Sequence, residues 1–373
     1  MKSWSRRTEL TPRDARRRVE WWELFDGETR EVSHPVDVWV GKALDIVGLK
    51  SQTVQDIRDY AAFVAKTSAS LYAPDSPKRS VSHCPVCKNP AEDAALYVTI
   101  HGSAYVRCLR CGHCFIQPQP TAQRLREVFS NSEEHAEVYT DMASLETRMS
   151  QVIQPKIDWT AQAYRAFRGG EVSSLLDIGA GGGHFVAGAR RCRIRADGYE
   201  VNKASRKFAQ NVLGVELQDS DFLQQAPVRG RYDVITFWGL LEYTPDPGAF
   251  VRRAWQWLDP AKGMLVLEVP RIDCFGSEVQ RAFPDTVARH LDPTSHMNCF
   301  SDASIATILH DNGFKPVAAW YFGMDVYELL SQTAIATGND ALIEQMASWI
   351  SDLQIGMDGG HVCDDIVIAA VPA

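Results

Sequence analysis

A chain of 373 residues exceeds one core of average size and predicts two or three packed units. With 45% hydrophobic and 23% charged residues it is neither disordered nor fibrous, and a formal net charge of -8 argues against nucleic acid wrapped over the whole surface. A small-molecule partner is expected, and no membrane span, because nowhere do eighteen apolar residues run in succession.

Arg6-Arg7 could pass for the pair of a twin-arginine export signal. However, Arg13, Asp14, Arg16, Arg17 and Arg18 occupy the place of the hydrophobic region such a signal needs, so a cytoplasmic location is expected. Val38, Val40, Ala43, Leu44, Ile46 and Val47, then Val54, Ile57, Tyr60, Ala61 and Val64, fall at mixed three- and four-residue steps. They predict a helical arm over 1–75, placed to cover a site or to join copies of the chain into a homo-oligomer. The run Ala73-Pro-Asp-Ser-Pro77 breaks it.

A cysteine unit follows over 76–120. Nine cysteines are an awkward, odd number for a disulfide framework, whereas Cys84-x-x-Cys87 and Cys108-x-x-Cys111 form two knuckles separated by twenty residues. That spacing predicts one structural zinc ion on Cys84, Cys87, Cys108 and Cys111 in a reducing compartment. Cys114 is a spare that can replace Cys111 in an alternative pairing. Ala95–Ile100 and Ser103–Arg107 are expected to pair as strands between the knuckles. Lys78, Arg79, Lys88, Arg107 and Arg110 make the unit locally basic, offset in part by Glu92 and Asp93.

Two prolines, Pro118 and Pro120, force an extended exit into a helical segment over 121–170, in which Pro155 starts a turn running to Phe167 and Gly169-Gly170 ends it. From 171 to 373 short apolar runs alternate with amphipathic stretches, as in a sheet covered by helices. A last helix over about 339–353 and the strand 365–371 close the chain.

In Ser174-Leu-Leu-Asp177-Ile-Gly179-Ala180-Gly181-Gly-Gly183-His184 an apolar strand runs into a glycine-rich turn and then a helix. A dinucleotide fingerprint would need glycine at His184, so the pattern is Gly-x-Gly-x-Gly. Such a turn resembles the one that cradles the amino-acid part of S-adenosyl-L-methionine. Asp177, Gly179, Ala180, Gly181 and Gly183 are its candidates. A second strand ends in Glu200, about twenty residues further on, where a carboxylate accepts hydrogen bonds from ribose hydroxyls. Capping the next helix, with Asn202, is the competing role. Asp221 and Phe222 pair a carboxylate with a flat ring, suited to adenine; Trp238 joins them, and for both rings core packing is the alternative.

Leu176–Gly183, Phe237–Pro247 and His296–Phe314 resemble, in that order, signature segments of class I S-adenosylmethionine-dependent methyltransferases, over about half of the chain. The resemblance implies a Rossmann-like, seven-stranded, mostly parallel α/β sheet. Gly239 and Tyr243 depart from it, since family members commonly carry aspartate and histidine there. The cysteine unit, ending in Arg-Cys-x-x-Cys-Gly before a proline turn, resembles the N-terminal module of methyltransferases acting on sugars and natural products, deoxysugar C-methyltransferases among them.

The expected function is methyl transfer to a small-molecule acceptor, a sugar or other biosynthetic intermediate, at oxygen, nitrogen or carbon. A ribbon-assisted nucleic-acid methyltransferase and a non-catalytic S-adenosylmethionine binder are the alternatives. Catalytic candidates lie in loops beyond the strand ends: His290 and His296 as bases near neutral pH, or as hydrogen-bonding loop residues, with Glu242 and Tyr243 after Trp238.

Overall fold

The computed structural model describes residues 2–8, 16–42, 53–121, 123–125, 127, 140, 142, 144–287 and 289–373. In its second half the expected alternation holds. Strand β9 (Ser174–Ile178) leads to helix α3 (His184–Arg191), β10 (Arg195–Tyr199) to α4 (Lys203–Leu213), and β11 (Val234–Trp238) to α5 (Pro247–Trp257). Next come β12 (Met264–Pro270), α6 (Phe275–Ala282), the short β13 (Asn298–Cys299), α7 (Asp302–Asp311) and β14 (Phe314–Phe322). Helices α8 (Asp325–Thr337) and α9 (Leu342–Gly359) precede β15 (Asp365–Pro372). Local chemistry fixes several boundaries: Asn202 and Asp246 cap α4 and α5, Pro247 opens α5, and Gly214 ends α4 in a left-handed conformation.

The sheet is not the seven-stranded, mostly parallel one expected. It has nine strands in the order β1-β2-β3-β14-β15-β12-β11-β9-β10, where β1 is Lys2–Thr8, β2 Arg17–Asp26 and β3 Thr29–Val40. Strands β9 to β12 are parallel, β15 runs against both neighbours, β3 is parallel to β14, and β2 and β1 alternate beyond it. Past β10, the stretch that would make a further strand meets the sheet in a single bridge, Tyr199 to Gln218.

The first part of the arm is therefore strand, and its helix is α1 (Val54–Leu71), where Thr53 and Asp56 form a reciprocal cap. Val36, Val38 and Val40 are buried at a period of two, with Asp37 and Trp39 half-exposed between them. The helical reading of 43–47 lies outside the described residues. Charge inside the sheet conceals the strands from a hydrophobicity pattern, because Arg18, Glu20 and Glu23 of β2 are buried. Glu23 pairs with Arg30 at 2.9 Å, whereas Arg18 and Glu20 belong to a network in which Arg271 holds Asp302 through two bonds of 2.9 and 3.1 Å. Arg6 of β1 meets Asp302 at 3.0 Å and the Tyr321 hydroxyl at 3.1 Å, while His361 meets Glu20 at 2.9 Å.

The cysteine unit contains β4 (Lys78–Arg79), β5 (Ala94–Ile100), β6 (Ser103–Cys108), β7 (Cys114–Ile116) and β8 (Gln119–Pro120). Strands β5 and β6 pair as expected, β4 pairs with β8, and β7 pairs with β13, so the cysteine unit and the C-terminal half share one small sheet. Helical turns Leu145–Thr147 and Arg148–Ile153 run into α2 (Gln154–Arg168), which Pro155 opens and Gly169 ends. Among the described residues no helix is long and apolar enough to cross a membrane.

Candidate active site and metal centre

The C-terminal ends of β9, β11 and β12 open into a cavity of about 1090 Å³, roofed in part by Ile57, Tyr60 and Phe63 of α1. That exceeds the roughly 300–1,000 Å³ of common ligand pockets and gives room for a cofactor and an acceptor together. Asp177, Gly179, Ala180, Gly181, Glu200, Asp221, Phe222, Trp238, Glu242, Tyr243, His290 and His296 all line it, so residues spread over 120 positions of sequence converge. Gly183 does not line it. A Cβ there would stand 2.9 Å from the Ala209 Cβ, which gives this glycine a packing role beneath the turn.

In the turn, Gly179, Gly181 and Gly183 all have positive φ, and the N–H groups of Gly179 and Ala180 both donate to the Tyr199 carbonyl at 2.9 Å. One Glu200 carboxylate oxygen accepts from the Gly181 N–H and the other from the Asn202 N–H, each at 2.7 Å. Its cap-like bond and its place in the cavity thus coexist, and burial raises its pKa. Asp177 is buried, accepts from the Thr236 hydroxyl at 2.7 Å, and is pushed up to about 7 by burial. Asp221 accepts from the Leu223 N–H at 2.9 Å. The Phe222 ring packs among Tyr199, Phe237, Phe250 and Trp257 and is 3% exposed, which favours its core role. The Trp238 indole N–H is buried without a hydrogen-bond partner among the described residues, an orphan donor beside the cavity. Glycine cradle, paired carboxylate and orphan donor together fit an amino-acid and ribose-bearing cofactor.

The two histidines differ. His296 Nδ1 lies 2.7 Å from the His290 carbonyl, so it carries the proton and leaves Nε2, without a partner among the described residues, as an acceptor; burial lowers the ring's pKa and keeps it neutral at pH 7. His290 is bound through Nε2 to the Arg271 carbonyl at 2.6 Å, a positioning contact, and burial lowers it to about 4. Glu242 is buried, with Oε2 unpartnered among the described residues, and burial pushes it up to about 8, so it is a neutral carboxylic acid at pH 7. Its carbonyl accepts from the Met297 N–H at 2.8 Å, tying the two loops together, and the Tyr243 ring meets His296 edge-on at 5.7 Å. Gly239 has φ +62, and a Cβ would lie 3.1 Å from Glu242 Oε1, so a side chain here would crowd that acid.

Sequence reasoning missed a charged row on the same rim. Lys156 pairs with Glu268 and stands 4.5 Å from the Trp238 ring centroid, and Lys42 and Asp365 line the cavity beside them. The available signal was a carboxylate at each end of otherwise apolar strands, Glu268 in Met264–Pro270 and Asp365 in Asp365–Pro372.

The four thiolates of Cys84, Cys87, Cys108 and Cys111 lie within 4.8 Å of one another, with Cys84 to Cys111 at 3.7 Å and Cys87 to Cys108 at 3.6 Å. A tetrahedral zinc–sulfur site with bonds of about 2.3 Å has edges of about 3.8 Å, so the group fits a closed zinc centre. Cys114 points elsewhere: it sits in β7 opposite Cys299.

Residues 145–319 match a family model described as a methyltransferase domain. No curated protein sequence matches the chain. Among solved structures it is similar to the magnesium protoporphyrin IX methyltransferase of Synechocystis, at 15% identity and TM-score 0.44, over 68% of this chain and all of that one. It is also similar to the 1,6-didemethyltoxoflavin-N1-methyltransferase of Burkholderia thailandensis, at 14% identity and TM-score 0.41, over 71% of this chain and 97% of that one. A third is an S-adenosylmethionine-dependent methyltransferase of Archaeoglobus fulgidus, at 17% identity and TM-score 0.40, over 62% and 99%.

Proposed function

We infer that this chain, through its methyltransferase domain, is an enzyme that moves the methyl group of S-adenosyl-L-methionine to a small-molecule acceptor, and we propose a sugar or other biosynthetic intermediate as that acceptor. The sulfonium, when bound, supplies an electrophilic methyl group. The chain's residues do the rest. Gly179 and Gly181 let the backbone approach the amino-acid part, and Glu200 exchanges its bond to the Gly181 N–H for ribose hydroxyls. Asp221 takes the adenine edge. His296 Nε2 accepts the proton of the attacking group, His290 holds that ring through its carbonyl, and Glu242, protonated, donates to an acceptor oxygen.

One observation carries this reading: a single cavity is bounded by the glycine turn on one side and by a histidine with a fixed tautomer on the other. The sugar assignment rests on the resemblance of the ribbon to the N-terminal module of sugar methyltransferases; its Tyr105 hydroxyl donates to the His296 carbonyl at 2.9 Å and ties the ribbon to the acceptor side. The test is turnover against sugar and small-acid acceptors, with S-adenosylhomocysteine binding followed by calorimetry. His296→Gln should cut kcat by about 10²–10⁴-fold and leave S-adenosylhomocysteine affinity unchanged. An unaltered kcat in that variant removes His296 as the base, and absence of binding heat in the parent enzyme removes the whole assignment.

A further inference from the structure

The added strands reach into the site. Strand β3 lies on β14, the Gly41 N–H donates to the Tyr321 carbonyl at 2.8 Å, and the Trp320 indole N–H donates to the Gly41 carbonyl at 2.9 Å. The next residue, Lys42, is thereby delivered to the cavity lining. Its Nζ stands 4.6 Å from the Phe322 ring centroid and 5.7 Å from that of Trp320, and among the described residues it has no ion pair or hydrogen bond.

Arg148 lines the same cavity, and other neighbouring charges are paired. Lys156 is paired with Glu268, and Arg289 with Glu328 and Asp364. Burial keeps the Glu242 and Asp365 carboxyls protonated, the latter well above the usual carboxylate range. Burial also draws Lys42 down to about 8, with Lys156 adding repulsion, yet the ammonium form still predominates at pH 7. A desolvated ammonium over aromatic faces is only partly compensated by them.

We propose that Lys42 receives a singly charged anionic group, a carboxylate on the acceptor, so that the N-terminal strands select which acceptors enter the site. Glu268 on the same wall disfavours a dianion. The identification of this anion as the acceptor rests on the methyl-transfer reading; anion binding at Lys42 does not.

Two dyes that share a ring system separate the terms. 8-Anilinonaphthalene-1-sulfonate carries one negative charge and N-phenyl-1-naphthylamine none. Lys42→Met keeps the stem and removes the charge. It should weaken the sulfonate by about tenfold, as loss of a charge-assisted contact does, and leave the neutral dye unchanged. Lys42→Arg should retain the sulfonate. No change with the sulfonate in Lys42→Met, equal losses for both dyes, or an equal loss in Lys42→Arg overturns the proposal. Heats with S-adenosylhomocysteine, recorded on the same proteins, certify their fold. If the parent enzyme gives none while the dye contrast persists, the methyl-transfer reading fails and the anion site stands.

Discussion

Gly183 offers a sharp test of how the cofactor turn is built. It begins α3 at φ 76°, a conformation that costs a residue with a Cβ about 1–2 kcal/mol. The added methyl would meet the Ala209 Cβ at 2.9 Å, with Leu217 and Val215 at 3.6 Å behind it, and overpacking of this kind costs about 1–3 kcal/mol. Gly183→Ala should therefore lose about 2–5 kcal/mol of stability, which for a chain of this length unfolding as one unit lowers the thermal midpoint by about 3–6 °C. Gly214→Ala is the control, because its φ is +67° but nothing lies within 4 Å of the new methyl, and it should lose only the conformational part. Adding Ala209→Gly to Gly183→Ala should restore about 1–2 kcal/mol of coupling energy, after correction for the single Ala209→Gly change. Scanning calorimetry on the parent and these four variants checks this. If Gly183→Ala is no worse than Gly214→Ala, or the double variant shows no coupling, the packing role of Gly183 is wrong.

Three further outcomes are expected. Glu200→Ala should weaken S-adenosylhomocysteine by about 10- to 100-fold in calorimetry, the size of a lost charge-assisted pair of hydrogen bonds. One zinc per chain should be found by emission spectrometry. Stripping it with a chelator should raise amide exchange in Ala94–Ile116 and in Asn298–Cys299, the strand paired with the ribbon, while Ser174–Ile178 stays protected. Asp177, held at about 7 in the folded chain against 3.8 for the free group, binds a proton across that window, so its contribution is present below about pH 3.8 and is lost as pH rises through 7. Asp177→Asn should thus lose less stability than the parent between pH 5 and 8 in urea titrations of cofactor-free protein; an equal loss contradicts it.

The local signals that sequence carries best are those set by backbone geometry and metal spacing. The glycine turn, the Asn202 cap, the Pro155 and Gly169 ends of α2 and the two cysteine knuckles were all legible because each depends on a few adjacent residues. Convergence of His296 with Glu200 follows from sheet order, which the strand–helix alternation alone left open. What was hidden depends on partners far away in sequence. Arg18 and Glu20 look like a solvated arm until His361 and Asp302 are placed beside them, and Lys42 is unremarkable until β14 lies next to it. The choice between His290 and His296 was likewise closed to sequence, since it turns on which ring nitrogen finds a backbone carbonyl.

Pairing of β3 with β14 joins positions separated by roughly 280 residues, and this has a consequence on the ribosome. At about 5–20 residues per second, the Arg17–Val40 hairpin emerges about 15–60 s before its docking edge exists. Throughout that interval the apolar side chains of Trp22, Val36 and Val38, all buried in the finished protein, face solvent on an open template. Nascent-chain holdases are therefore natural company for this enzyme, and its yield in a cell is expected to respond to translation speed.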